Sequence, residues 1–273
     1  MKRMFIVLCA SLFACAAPAY PDQITAQSGG VRAVVQYAHA QQSLMVDLQR
    51  IRITRDGKVA YDGAPPGGFT QAILDALPGQ PLLAVRELDD EGEPEVVLST
   101  FTGGAHCCFG VVIYGYDRQA GTYREVTRDF SDTGFELKQV GEISYPQFFS
   151  GDARFAYVFT SYAASAFPIQ IWRYSAGDLI EVTRCYPALI AAQAARNWTA
   201  AVENQKAGEP VTGVLAAYAA DEYMLGVGQQ AIKKIMKTGY TDITDDYAER
   251  LAAFLSNNGY VGTAGPSCGS RAR

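Results

Sequence analysis

The chain contains few of the side chains and motifs on which common enzyme active sites are built. Only two histidines, His39 and His106, occur among its 273 residues. The sequence has no glycine-rich phosphate loop, no dinucleotide-binding fingerprint and no nucleophile elbow. These absences argue against nucleotide-dependent enzymes and serine hydrolases of the α/β type. We therefore predict no catalytic residue from sequence motifs.

Long hydrophobic runs are equally scarce, and only the first residues form one. A basic start precedes an apolar run at residues 5–17, which is too short for an ordinary transmembrane helix. The run ends in Ala-Pro-Ala, a sequence typical of signal-peptide cleavage. We predict a signal peptide at residues 1–19 and a periplasmic or secreted protein. The alternative is a lipoprotein anchored at Cys15, because the residues before it loosely resemble a lipobox.

An excess of positive charge is also missing. The chain carries 23 lysines and arginines against 28 aspartates and glutamates, for a formal net charge of −5. Nucleic acids and anionic membrane surfaces are bound by clustered basic side chains, which an acidic chain does not offer. We therefore predict no nucleic-acid partner, and no membrane span beyond the signal peptide.

The cysteines predict disulfide bonds. Removal of the signal peptide leaves four of six cysteines, and an even number in an exported chain points to disulfides with three alternative connectivities. Cys107 and Cys108 are adjacent, and a bond between neighbours requires a distorted backbone, which an irregular turn such as GGAHCC tolerates. We prefer a bond between Cys185 and Cys268, with Cys107 and Cys108 left as a pair.

The first part of the chain has the pattern of β-strands. Residues 31–63 alternate apolar and polar side chains, as strands with one buried face do. Asp56 and Gly57 stand between two such runs, and Asp-Gly is a strong signal for a tight hairpin turn. A break rich in proline and glycine follows, after which we expect a short helix at Thr70 to Leu77.

An internal repeat organises the middle of the chain. The tetrapeptide Glu-Val-Thr-Arg occurs at residues 125–128 and again at 181–184, and aromatic, β-branched segments precede both copies. We therefore align two repeat units, at about residues 84–130 and 143–186. Repetition of such a unit suggests sheets like the blades of a propeller. The alignment pairs the strand-like segments EVVLSTF with AYVFTSY, and VVIYGYD with IQIWRY.

The character of the sequence changes at Pro187. From there onward, alanine-rich segments with helical spacing end in glycines. We therefore predict an α+β protein in which an antiparallel β domain with propeller-blade-like repeats precedes a small C-terminal helical bundle. The predicted ranges are 20–186 for the β-rich domain, 187–262 for the helices and 263–273 for a tail held by Cys268.

The stretch ELDDEGEPEVVL, residues 87–98, concentrates acidic side chains ahead of a strand-like segment. Calcium-binding loops place oxygen ligands at loop positions 1, 3, 5, 7 and 9, with glycine at position 6 to make the turn. Alignment of Gly92 with position 6 puts carboxylates at positions 1, 3, 5 and 9. A solvated acidic turn without metal is the alternative. The predicted ligands are Glu87, Asp89, Glu91 and Glu95, with Glu93 contributing a backbone carbonyl.

The longer stretch ELDDEGEPEVVLSTFTGGAHCCFGVVIYGYD resembles the FG-GAP and VCBS types of repeat of secreted and surface proteins. Those repeats have an Asp-x-Asp-x-Asp-Gly-x-x-Asp calcium loop, a strand, a glycine-rich turn and a second, aromatic strand. The resemblance implies a propeller-like blade with a structural calcium ion, and a role in scaffolding or recognition. This chain has glutamate at two of the three early aspartate positions. The second unit keeps only Gly151 and Asp152, so we expect no metal there.

Two classes of function follow. The first is an exported, non-enzymatic binding or scaffold module with a structural calcium ion, whose partner is an unknown protein or glycan of the cell envelope. The second is a hydrolase of envelope polymers that uses carboxylates or His106. Oxidation of the adjacent cysteines argues against a cysteine nucleophile. Four aromatic residues are candidates for a recognition face, although strand spacing favours the core: Tyr157, Phe159, Trp172 and Tyr174.

Overall fold

A computed structural model describes residues 22–39, 44–74, 81–104, 107–141, 143–262 and 268, except the side chain of Cys107. Several predicted features lie outside these residues. They are the signal peptide with its alternative anchor at Cys15, His106, and all of the tail other than Cys268.

Sheet A is a five-stranded antiparallel sheet in which β1 to β4 pair in chain order and β5 pairs with β3. The predicted hairpin is confirmed. Asp56 and Gly57 join β3 to β4 with φ angles of 49° and 77°, as a type I′ turn requires at both central positions. The strands are β1 (Asp22–Ser28), β2 (Val31–His39), β3 (Met45–Arg55), β4 (Lys58–Gly63) and β5 (Gln71–Ile73).

The helix predicted at Thr70 to Leu77 is wrong in the described part of that range. Residues 71–73 form β5, which pairs with β3, and Ala72 is buried in the core between sheets A and B. A short segment has little helical stability of its own. Backbone hydrogen bonds to a neighbouring strand and the burial of Ala72 therefore decide its conformation.

Sheets B and C are both four-stranded and antiparallel, and their strands pair in chain order. Antiparallel sheets therefore occupy the region predicted to be rich in β-structure. Sheet B contains β6 (Leu83–Arg86), β7 (Glu95–Gly104), β8 (Cys107–Asp117) and β9 (Thr122–Asp129). Sheet C contains β10 (Glu136–Lys138), β11 (Gln147–Gly151), β12 (Ile169–Ser175) and β13 (Asp178–Glu181).

The repeat alignment matches the structure only in part. VVIYGYD lies in β8 and IQIWRY in β12, as the alignment requires. AYVFTSY, residues 156–162, forms turns and the start of a 3₁₀ helix instead of a strand, because its Phe159 packs against the helices. The two copies of EVTR also differ. Residues 125–128 lie within β9, whereas residues 181–184 run from the end of β13 into a 3₁₀ turn.

Sheet B lies between sheets A and C. Val96 and Tyr114 belong to the core shared with sheet A, whereas Val97 and Ile113 belong to the core shared with sheet C. Successive residues of a strand face opposite sides, so both faces of β7 and β8 are buried. This explains the unbroken apolar segments at residues 96–98 of β7 and 111–114 of β8.

Four helices follow the sheets and confirm the predicted C-terminal helices. Pro187 stands in the first turn of α1, which ends at Gly208 with a left-handed φ of 73°, a conformation that glycine adopts without strain. None of the helices in the described ranges is both long and apolar enough to cross a membrane. The helices are α1 (Pro187–Ala207), α2 (Thr212–Met224), α3 (Gly228–Met236) and α4 (Asp245–Asn257).

The segment between β11 and β12 attaches the helices to sheet C. Buried Asp152 accepts hydrogen bonds from Arg154 Nε at 2.8 Å and from the hydroxyl of Tyr260, beyond α4, at 2.6 Å. Phe155 and Phe159 pack into the core of the helices. A charged network and apolar side chains therefore join the two parts of the chain.

A disulfide bond joins Cys185, just after sheet C, to Cys268 in the tail. This is the pair that the sequence analysis prefers. The sulfur of Cys108 is also in a disulfide. Its predicted partner, Cys107, has a side chain outside the described part, so that pairing stays a prediction.

Candidate functional site

The acidic loop joins β6 to β7 and carries the predicted metal ligands. Its turn needs positive φ angles at Asp90 and Gly92, both 73°, which glycine adopts freely and aspartate tolerates better than most residues. The backbone N–H of Glu91 donates to the carboxylates of Glu87 and Asp89, each at 3.1 Å. These hydrogen bonds fold the start of the loop back on itself.

Three of the predicted ligands converge. One carboxylate oxygen from each of Glu87, Asp89 and Glu95 lies within 4.8 Å of the other two. Glu95 is only 4% exposed, and it accepts the N–H of Leu88 at 2.9 Å. Burial raises the pKa of Glu95 to about 8, with the negative charge of Asp89 as the next cause. Burial also raises the pKa of Asp89 to about 6.

The other two predicted ligands are placed differently. Glu91 is exposed, and its carboxylate is not part of the converging group. The buried side chain of Glu93 accepts two hydrogen bonds from Arg55 of β3, at 2.9 Å and 2.5 Å. Glu93 therefore ties the loop to sheet A, and only its backbone carbonyl is left for the predicted role.

A cavity of about 230 Å³ lies against the loop and includes Tyr174 of β12 in its lining. Gly115 makes room for the hydroxyl of Tyr174, because a Cβ atom at that position would overlap this oxygen. Burial raises the pKa of Tyr174, as do the charges of Glu95 and Asp89. The hydroxyl therefore stays protonated beside the carboxylates. The sequence offers no signal for this contact, because it joins two different sheets.

Arginines beside the cavity are engaged by other groups. Arg124 pairs with Asp117 at 2.5 Å, and Arg118 donates to the backbone carbonyl of Glu91 at 3.3 Å. Glu95 therefore keeps its proton at neutral pH, because of burial and the charge of Asp89. A divalent cation would displace this proton and relieve the repulsion.

In the second repeat unit, the two retained loop residues take structural roles. Asp152 pairs with Arg154 and accepts a hydrogen bond from Tyr260. Gly151 lies where a Cβ atom would come within 2.6 Å of Cβ of Phe167, so the close approach of the backbone explains the glycine.

The four aromatic candidates do not form one recognition face. Trp172 and Tyr174 are buried in the core between sheets B and C, and Phe159 packs against the helices. Tyr157 is exposed in a turn. Trp172 and Tyr174 nevertheless each border a cavity, because their side chains share one face of β12 with Gln170.

Comparison with known proteins relates part of this chain to a family and to a protein of Synechocystis sp.. The family described as the sll0997 C-terminal domain matches residues 190–259, within the helical part. "Probable thylakoid lumen protein sll0997" of Synechocystis sp. is 24% identical over a match of 220 residues in length, and the match covers 66% of this chain. This chain spans 60% of the length of that relative.

Among solved structures, "Structure of a Xanthomonas Type IV Secretion System related protein" covers 61% of this chain and 82% of its own. The TM-score is 0.40 and the identity is 11%. We draw no conclusion from a similarity of this size.

Proposed function

We propose that this protein is an exported, non-enzymatic binding or scaffold module in which the acidic loop holds a calcium ion. The observation that carries the proposal is the convergence of Glu87, Asp89 and Glu95, whose carboxylate oxygens lie within 4.8 Å of one another. Calcium binds several hard oxygen ligands in a flexible arrangement, and this donor set fits it. The ion would join the start of the loop to Glu95, the first residue of β7.

The tendency of the loop carboxylates to bind protons supports the proposal that the acidic loop binds a cation. Burial, followed by mutual repulsion, raises the pKa values of Glu95 and Asp89, so ionisation of these carboxylates without a cation costs free energy. Calcium binding replaces the protons by a double positive charge. The benefit to the protein would be a fixed connection between β6 and β7.

The resemblance to FG-GAP and VCBS repeats supports the same proposal. It implies blades of a propeller-like architecture, and sheets B and C each consist of four consecutive antiparallel strands. Repeats of this kind serve recognition, which agrees with a partner that is a protein or glycan of the cell envelope.

Three observations support export. The sequence predicts a signal peptide at residues 1–19, and Cys185 forms a disulfide with Cys268, a bond that persists in oxidising compartments. The relative from Synechocystis is named for the thylakoid lumen. We therefore propose the periplasm or the cell exterior as the location of this protein.

The alternative of a carboxylate hydrolase has less support. Most glycosidases use two carboxyl groups that flank the scissile bond. Here three carboxylates converge, and one oxygen from each of Glu87, Asp89 and Glu95 lies within 4.8 Å of the other two. A converging group of three suits ligands that share a cation better than a pair that flanks a glycosidic bond.

Calorimetric titration of the chelator-treated chain with calcium chloride tests the proposal. We expect saturable binding of one ion and a higher melting temperature with calcium. Glu95 and Asp89 must lose protons to bind, so the affinity should be weaker at pH 6 than at pH 8. Absence of both heat and a melting shift at millimolar calcium, at pH 8, would refute it.

Matched glutamine variants identify the ligands. E95Q removes the buried carboxylate and should abolish binding, whereas E203Q, at an exposed position of α1, should leave it unchanged. E91Q should retain most of the affinity, because Glu91 lies outside the converging group. If E91Q abolishes calcium binding as completely as E95Q does, Glu91 is also a ligand, as the loop pattern predicts and the converging group does not.

A further inference from the structure

A second cavity, of about 500 Å³, is lined by residues of β9, β11, β12 and β13. We call it the arginine cavity. The two copies of EVTR meet there, because Arg128 ends the first copy and Glu181 begins the second. We propose that the arginine cavity binds a small hydroxylated carboxylate of the sugar-acid class, with Arg128 as the group that recognises its carboxylate.

Arg128 is the central residue of the proposal because its guanidinium makes no ion pair within the described residues, although the charges of Glu181 and Asp129 act on it from nearby. Its guanidinium carbon lies 3.2 Å from the ring centroid of Trp172, so the group is stacked flat on the indole. Its Nε is buried and has no hydrogen-bond partner in the described part of the chain. Arginine stays charged in proteins. The terminal nitrogens of a guanidinium held in this way can donate to an oxyanion, the acceptor that suits its geometry best.

The other cation of the cavity is already engaged. Arg154 donates to Asp152 at 2.8 Å and to the carbonyl of Asn258 at 3.3 Å. Asp129 accepts the backbone N–H of Ser131 at 2.6 Å. Arg128 is therefore the cation of this cavity that is available to a ligand.

Gln170 and Glu181 provide groups for the neutral part of a ligand. Gln170 is 9% exposed and lines the cavity, and its amide offers both donors and an acceptor. Glu181 accepts one hydrogen bond, from the hydroxyl of Thr183 at 2.9 Å, and a carboxylate has further acceptor capacity for ligand hydroxyl groups. The ligand should therefore carry hydroxyl groups as well as a negative charge.

The position of Arg128 also argues against a neutral sugar as the ligand of the arginine cavity. Sugar-binding sites commonly use an open aromatic face, but the face of Trp172 is covered by Arg128. Recognition then depends on the carboxylate of the ligand. A volume of about 500 Å³ lies within the range of small-molecule sites, about 300–1,000 Å³. No calcium-loop carboxylate lines this cavity, so the inference does not depend on the proposed calcium ion.

Titration with D-glucuronate, followed by fluorescence and calorimetry, tests the inference. The chain has two tryptophans, so the substitution W198F leaves Trp172 as the only one and makes its emission a direct report on the cavity. We expect a saturable change with D-glucuronate and none with D-glucose. R128Q should weaken binding roughly ten- to hundred-fold, as the loss of a charge-assisted pair does, whereas R32Q, at an exposed arginine of β2, should not.

Several results would overturn the inference. They are no binding of D-glucuronate to the unaltered chain, equal affinity in the R128Q variant, or binding of acetate as tight as that of D-glucuronate. Melting curves establish that each variant is folded. If R128Q does not fold, R128K takes its place, because it keeps the charge but loses the two-point contact and should still weaken binding. Chelation of calcium should leave the affinity unchanged, which separates this test from that of the calcium loop.

Discussion

Asp221 links the stability of the fold to pH. Its side chain lies in α2 and is 0% exposed. One oxygen accepts the amide of Asn197 at 2.9 Å, and the backbone N–H of Ile169 also favours the charged form of the carboxylate. Burial raises the pKa of Asp221 to about 8. The folded protein therefore holds a proton at neutral pH that an unfolded chain, with an aspartate pKa of about 3.9, has released.

The size of the effect follows from proton linkage. Between about pH 4 and pH 8 the folded chain binds one more proton at Asp221 than the unfolded chain does, so stability falls as the pH rises. The loss is at most about 1.4 kcal/mol for each pH unit, or about 2.7 kcal/mol between pH 5 and pH 7. The variant D221N cannot ionise and keeps an acceptor for Asn197, so it should lose this dependence.

Urea denaturation of the unaltered chain and of D221N at pH 5, 6, 7 and 8 measures this effect. The stability of D221N relative to the unaltered chain should increase with pH. Other buried acids, such as Glu95, affect both proteins equally and cancel in the comparison. D242N, at an exposed position, serves as the control and should show no such trend. A constant difference between D221N and the unaltered chain from pH 5 to pH 7 would show that Asp221 is ionised in the fold, and would refute the reasoning.

Two further predictions concern local packing. Gly115→Ala should destabilise the fold by about 1–3 kcal/mol, because the new Cβ would overlap the hydroxyl of Tyr174. Tyr174→Phe should restore most of this loss, because without the hydroxyl the atom nearest to the new Cβ is Cζ, at 3.2 Å. Thermal melts of the two single variants and the double variant measure the coupling between the two positions. Additive effects of the two substitutions would contradict it. Thr244→Ala removes the cap that accepts the N–H of Tyr247 at 3.2 Å and should cost about 1 kcal/mol in urea denaturation. Thr244→Ser should retain most of the stability, and a serine variant as weak as the alanine variant would argue against the cap.

Local sequence is misleading where residues that are distant in the chain decide the conformation of a segment. The short segment at residues 71–73 becomes a strand because β3 offers it hydrogen bonds. The two copies of EVTR have the same sequence, but their glutamates accept hydrogen bonds from different residues. Glu125 lies in β9 and accepts a hydrogen bond from Tyr61, whereas Glu181 ends β13 and accepts one from Thr183. A four-residue match contains no information about these neighbours.

Several features could be predicted from residues that are neighbours in the chain. The Asp56-Gly57 turn follows from the dihedral angles that aspartate and glycine allow, and the helices after Pro187 follow from periodicity and glycine stops. The acidic loop is visible as a candidate cation site because its carboxylates are close in the chain.

Tertiary structure alone decided how the functional groups are combined. Stacking of three sheets directs Glu93 to Arg55, leaves Glu95 buried with the other two carboxylates, and places Arg128 on Trp172. The contacts of Glu93 with Arg55 and of Arg128 with Trp172 join elements that are separated in sequence. Burial sets their energies, and it exists only after the sheets have packed.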